Sequence, residues 1–138
     1  MLPISTTDLL PQKAPFTMVD TLLVSNDQSI ETTFTIPQEN PMVNDEGFFT
    51  EGGLIENMAQ STAAGSGYFF TSRGEEVPVG YIGAVKHVEI VQLPKVGEQL
   101  HTFMETKNRI GNASIVAGKI YSENRLVASC ELTIFVNN

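Results

Sequence analysis

The sequence predicts an α+β domain of two layers, one long helix packed against one large antiparallel sheet. Three observations predict it. Only the stretch from about Glu51 to Arg73 is long enough for a substantial helix. After Gly74 the pattern changes to strands and stays so, with turn signals at spacings that suit antiparallel hairpins. Strand patterns also precede the helix, which gives the order strand, strand, helix, then three or four strands.

Taken in order, Ser5-Thr6-Thr7-Asp8 ahead of Leu9-Leu10 suits a short helical turn ended by Pro11. Phe16 to Val24 reads as a first strand, and Ser25 to Gln28 as a turn. Ile30, Thr32, Phe34 and Ile36 then alternate with polar residues as in a half-buried strand. Residues 37 to 49, "PQENPMVNDEGFF", contain two prolines and several turn formers, and form a loop long enough to be functional. Thr50 is the expected N-cap and Glu51 places negative charge in the first turn. Gly74 supplies the left-handed C-terminal residue, with Arg73 beside the carbonyl end. The later strands are Val79 to Gln92, Gln99 to Arg109, Ser114 to Tyr121 and a last run with Leu126, Ala128, Cys130, Leu132, Ile134 and Val136 on one face.

At 138 residues the chain fits one domain, 1–138, with a single core. A formal net charge of −8, with the eight Lys and Arg residues scattered, argues against nucleic acid or an anionic membrane as partner. No apolar run approaches the roughly 20 residues of a membrane span and no secretory signal is apparent. One cysteine cannot form an internal disulfide, so a cytoplasmic setting is expected. There is no phosphate-binding glycine loop and no Cys/His cluster with metal-ligand spacing, so neither cofactor nor metal is expected.

The helix is the informative element. "GGLIENMAQSTAAGSGYFF", Gly52 to Phe70, carries one charged side chain, Glu56. A helix apolar on nearly all sides is usually buried on nearly all sides, and one curved sheet covers only part of it, so a second chain is expected to pack nearby. Burying a carboxylate favours its neutral form, and a neutral carboxylic acid in a dry site is a proton donor. Alternatively Glu56 lies solvated on the one exposed stripe of the helix. Composition leaves both readings open.

Three motifs carry a family resemblance. "LLPQKAPFTMVD", "GLIENMAQS" and "PKVGEQL" resemble, in order, the opening, central helix and a later strand of FabZ/FabA-like 3-hydroxyacyl-acyl-carrier-protein dehydratases. The resemblance implies the hotdog fold, a curved antiparallel sheet wrapped around one long helix. It implies dimers joined sheet edge to sheet edge, with acyl thioesters, usually on an acyl carrier protein, entering a tunnel at the interface. It further implies that Glu56 protonates the departing β-hydroxyl, opposite a histidine of the other subunit. Backbone N–H groups at the helix start, at Gly52 and Gly53, would polarise the thioester carbonyl. Gln60 falls within the matched helix motif and, with Gly52, Gly53 and Met42, is a substrate-contact candidate.

The pattern also breaks. Fourteen residues before Glu56, where the family's histidine falls, stands Met42. Nearby Asp45 or Glu46 is the substitute base, Asp45 being the one singled out. Gln12 stands where the opening motif would place a histidine. "PMVNDEGFFTEGGLIENMAQS" and "RGEEVPVGYIGAVKHVEI" resemble a divergent branch found with aryl-polyene biosynthesis. The lost histidine is compatible with a different base or with a heterodimer whose partner supplies chemistry. His87 and His101 read as sheet histidines, His87 being the better functional candidate, and Cys130 reads as core. Besides a dehydratase, the residues admit a non-catalytic hotdog subunit that binds acyl chains, or a hotdog thioesterase. Arg73, Lys86 and Lys95 are the cations available to dock an acidic carrier protein.

Overall fold

The computed structural model describes residues 1–137. Its elements are β1 (Ile4–Ser5), β2 (Thr21–Ser25), β3 (Ser29–Thr35), α1 (Glu51–Thr71), β4 (Val79–Ile90), β5 (Gln99–Ile110), β6 (Ala113–Ser122) and β7 (Arg125–Asn137). All strands join one sheet in the order β1-β2-β3-β5-β6-β7-β4. Every pairing is antiparallel.

The side-chain period of two places Leu100, Thr102 and Met104 of β5 on the face toward α1. From neighbouring strands come Phe34, Val116, Ile120, Ala128, Cys130 and Leu132. α1 answers with Leu54 and Met58, both buried in the same core. Close approach depends on glycine: a Cβ at Gly65 would fall within 3.0 Å of three Ile30 carbons, and one at Gly118 would meet Met58 Sδ at 2.6 Å. Buried polar groups are paired across the layers. Asn57 Nδ2 donates to Met18 O at 2.7 Å, Thr102 Oγ1 donates to Asn57 Oδ1 at 2.6 Å, and the Thr32 and Ser61 hydroxyls meet at 2.7 Å.

Four local expectations are refined. The turn expected near the start exists, with the N–H groups of Leu9 and Leu10 both donating to Thr6 O, but a two-residue strand, β1, precedes it. The first long strand begins at Thr21, not Phe16. The backbone from Phe16 to Met18 is instead engaged by helix side chains: Met18 N donates to Gln60 Oε1, while Phe16 O and Met18 O accept from Gln60 and Asn57. Thr50 occupies the N-cap position, yet its hydroxyl donates to Met42 O at 2.9 Å and caps no helix N–H. The helix stops at Thr71, two residues early. Gly74, at φ 69°, closes it with Gly74 N donating to Thr71 O and Glu75 N to Phe70 O, a Schellman arrangement.

α1 packs on β2, β3 and β5 and scarcely meets β4. β4 pairs with β7 on one side only, and its other edge is open. That edge strand is almost wholly exposed, including Val79, Tyr81, Val85 and Val88. Among the described residues no helix is long and apolar enough to cross a membrane.

Candidate functional site

Where α1 diverges from β4, a groove of about 690 Å³ opens between the helix and the inner face of the sheet. Its helical wall carries Glu56, Ala59, Gln60, Ala63 and Phe70; Tyr81 and Ile82 of β4 face it, and Met104, Val116 and Ile134 form the floor. From Glu56 to Phe70 the helical wall extends about 21 Å at 1.5 Å per residue. Ala59 and Ala63 keep this wall low, so the groove exists because the helix is poor in bulk there.

Glu56 is the one ionisable side chain that α1 contributes to the groove. It is half-buried, and Gln60, one turn further on, donates from Nε2 to Glu56 Oε2 at 2.8 Å. Gln60 is itself 2% exposed and its other contacts, Phe16 O at 3.1 Å and Met18 N at 2.7 Å, fix its amide. The carboxylate is therefore oriented by a side chain that cannot move freely. Gly52, Glu56 and Gln60 follow one another at four-residue spacing and share one stripe of the helix.

Gly52 is exposed at the head of that stripe, with Met42 Sδ 3.7 Å from where its Cβ would stand. Gly53 is buried, and a Cβ there would press on the Phe49 ring at 2.7 Å and Met42 Cβ at 2.9 Å. Met42 is thus a packing neighbour of the helix start. Asp45 is exposed in the turn between Val43 and Phe49, which form an isolated bridge, and does not line the groove. Neither histidine lines it either. His87 is exposed at a bulge in β4 with φ 56°. His101 lies on the opposite face of the sheet, paired with Glu31 at 3.1 Å and stacked on Phe103. Cys130 is buried against Met58 Sδ at 3.3 Å, and desolvation, with a lesser push from Glu131, raises its thiol to about 11.

Arg73 stacks over Phe69 at the end of α1, whereas Lys95 sits over Phe48 just before its start, so these cations do not form one patch. Sequence reading did not single out Asn57, whose amide ties β5 to the segment before β2, and it noted Gln12 only as a departure from the opening motif, whereas the structure puts Gln12 in the lining of the same groove as Glu56 and Gln60. The signal for Asn57 was its spacing: uncharged amides at Asn57 and Gln60 stand three residues apart on an otherwise small, apolar helix.

One long helix cradled by a single curved antiparallel sheet, with a groove beside the helix, defines a hotdog protein. Residues 4–138 match the family model of ApeP-like proteins, described as ApeP dehydratase, and the chain belongs to that family. Similar solved structures share the fold. The dehydratase heterocomplex ApeI:P from Xenorhabdus doucetiae superposes with a TM-score of 0.86 at 19% identity, over 98% of this chain and 92% of that one. The smu.793 protein of Streptococcus mutans UA159 bound to acetyl CoA gives 0.73 at 15% identity, over 94% and 96%. A hypothetical thioesterase with coenzyme A from Streptococcus pneumoniae TIGR4 gives 0.70 at 15%, over 85% and 87%. No curated protein matches the sequence.

Proposed function

We propose that this chain is a subunit of a hotdog dehydratase that converts 3-hydroxyacyl thioesters, presented by an acyl carrier protein, to enoyl thioesters and water. One observation supports it above the others: α1 offers the groove a single ionisable group, Glu56, held in place by Gln60. In the protonated form Glu56 is the acid. A base removes the proton from Cα, the electron pair forms the double bond, the Cβ–O bond breaks, and the carboxyl proton leaves with the hydroxyl as water. The apolar floor takes the acyl chain.

Among the described residues no histidine lines the groove, and Asp45 stands apart from Glu56. Asp27 is the other carboxylate of the lining, carried by the β2–β3 turn, and we assign the base to a second hotdog subunit. The open β4 edge, with its exposed Val79, Tyr81 and Val85, is the surface we assign to that subunit. The resemblance of fold to a heterocomplex supports a distinct partner rather than a second copy.

The test is hydration and dehydration of enoyl and 3-hydroxyacyl thioesters by the chain alone and with a co-expressed hotdog dehydratase subunit. Turnover that falls about a hundredfold or more in Glu56→Gln supports the reading. The position of Met42 favours a second reading, in which this chain is a non-catalytic subunit. Undiminished turnover by a complex carrying Glu56→Gln would establish that instead.

A further inference from the structure

Gln12 lines the groove with Glu56 and Gln60, and its Oε1 is fully buried without a hydrogen-bond partner. It is the one side-chain polar atom in that state among the described residues. The other buried amides make the contrast plain. Asn57 and Gln60 each have oxygen and nitrogen both engaged. Asn40 Oδ1 accepts from Met42 N, and its Nδ2 lies 3.1 Å from Met18 Sδ. A buried acceptor left unpaired disfavours the fold, and such atoms recur where a ligand completes the bonding.

The segment that carries Gln12 is also tethered on both sides of it. It belongs to the segment leading to Met18, which Gln60 and Asn57 fasten to α1 through Phe16 O, Met18 N and Met18 O. Upstream of it, Leu10 is buried against Val19 and Ala64, and Leu10 N donates to Thr6 O. The amide thus borders the same groove as Glu56 and Gln60, on a segment tethered at both ends.

We infer that Gln12 is a substrate-binding residue whose Oε1 accepts a hydrogen bond from the 3-hydroxyl of the acyl chain, selecting hydroxylated thioesters and aligning the hydroxyl with Glu56. The inference rests on the dehydratase reading for its substrate, but it makes a separate claim. A carbonyl oxygen accepts and cannot donate, so it distinguishes a hydroxyl from a keto group of nearly the same size. A site built to pair a hydroxyl discriminates strongly against an analogue that lacks one.

The experiment measures binding of three pantetheine thioesters of one chain length, 3-hydroxyhexanoyl, 3-oxohexanoyl and hexanoyl, to the protein in its native oligomer. Turnover of the first is followed in parallel. The expected result is about tenfold or greater preference for the hydroxy compound over both others. In Gln12→Met, a change of similar shape, that preference disappears, affinity for hexanoyl pantetheine is kept, and the melting temperature is equal or higher. Equal binding of the oxo and hydroxy compounds by the parent protein overturns the inference without any variant. So does a preference that survives in Gln12→Met, and if turnover also persists the dehydratase reading stands while Gln12 loses its role. A preference lost in Gln12→Met with no turnover in any assembly keeps the hydroxyl site and removes the dehydratase.

Discussion

Replacing Gln60 by Met changes the shape of the side chain little and removes all three of its hydrogen bonds. These are the bond accepted from Met18 N at 2.7 Å and those donated to Phe16 O at 3.1 Å and Glu56 Oε2 at 2.8 Å. The three losses are unequal. Met18 is 3% exposed, so its N–H is left buried and unpaired, which costs about 1–3 kcal/mol. Phe16 is 58% exposed and Glu56 half-buried, so water replaces much of what is lost there and about 1 kcal/mol covers both. The sum is about 2–4 kcal/mol. With a urea slope of about 2 kcal/mol per molar, the unfolding midpoint should fall by about 1–2 M. Hydrogen exchange at the Met18 amide should quicken more than at the β5 amides, because the segment before β2 loses its tether first. A Gln60→Met midpoint within about 0.3 M of the parent would refute the reasoning, since Met18 N would then have found another partner at no cost.

Gly65→Ala gains about 1 kcal/mol of helix propensity but drives a methyl into Ile30, for a net loss of about 1–2 kcal/mol. Combined with Ile30→Ala in a denaturation cycle, the pair should lose at least about 1 kcal/mol less than the two single changes added together. His87→Gly relieves a left-handed backbone at the β4 bulge and should stabilise by about 1 kcal/mol in chemical unfolding. Burial raises the Cys130 thiol from its ordinary 9.0 to about 11, so above pH 9.0 the unfolded chain releases a proton that the folded one retains. Stability therefore declines as pH rises from 9.0 toward 11, by up to about 2–3 kcal/mol, and Cys130→Ala should show a shallower decline in paired urea titrations.

The hydrophobic period and turn residues made the architecture readable. The alternation of Ile30 to Ile36 and of Leu126 to Val136 named the inward faces of β3 and β7, and Gly74 marked the close of α1. Residues 16 to 18 misled because their apolar pattern is that of a strand, whereas the backbone of Phe16 and Met18 is bonded by the Asn57 and Gln60 side chains, distant in sequence. Thr50 misled for a related reason: its hydroxyl had a nearer use at Met42 O. In the site, composition alone exposed Glu56 as exceptional. That Gln12 shares its groove, and does so with an unpaired oxygen, required three dimensions, because a partnerless oxygen is a property of packing that no spacing encodes.

β4 follows α1 directly, yet its one neighbour in the sheet is β7, the last strand of the fold. A nascent chain leaving the ribosome must therefore hold this strand idle while β5, β6 and β7 are made. The wall of the groove formed by Tyr81 and Ile82 is completed only at the end of synthesis. Shortening the chain by a few residues at β7 would strip the support of that wall, because Tyr81 and Ile82 pair with Phe135 and Ile134.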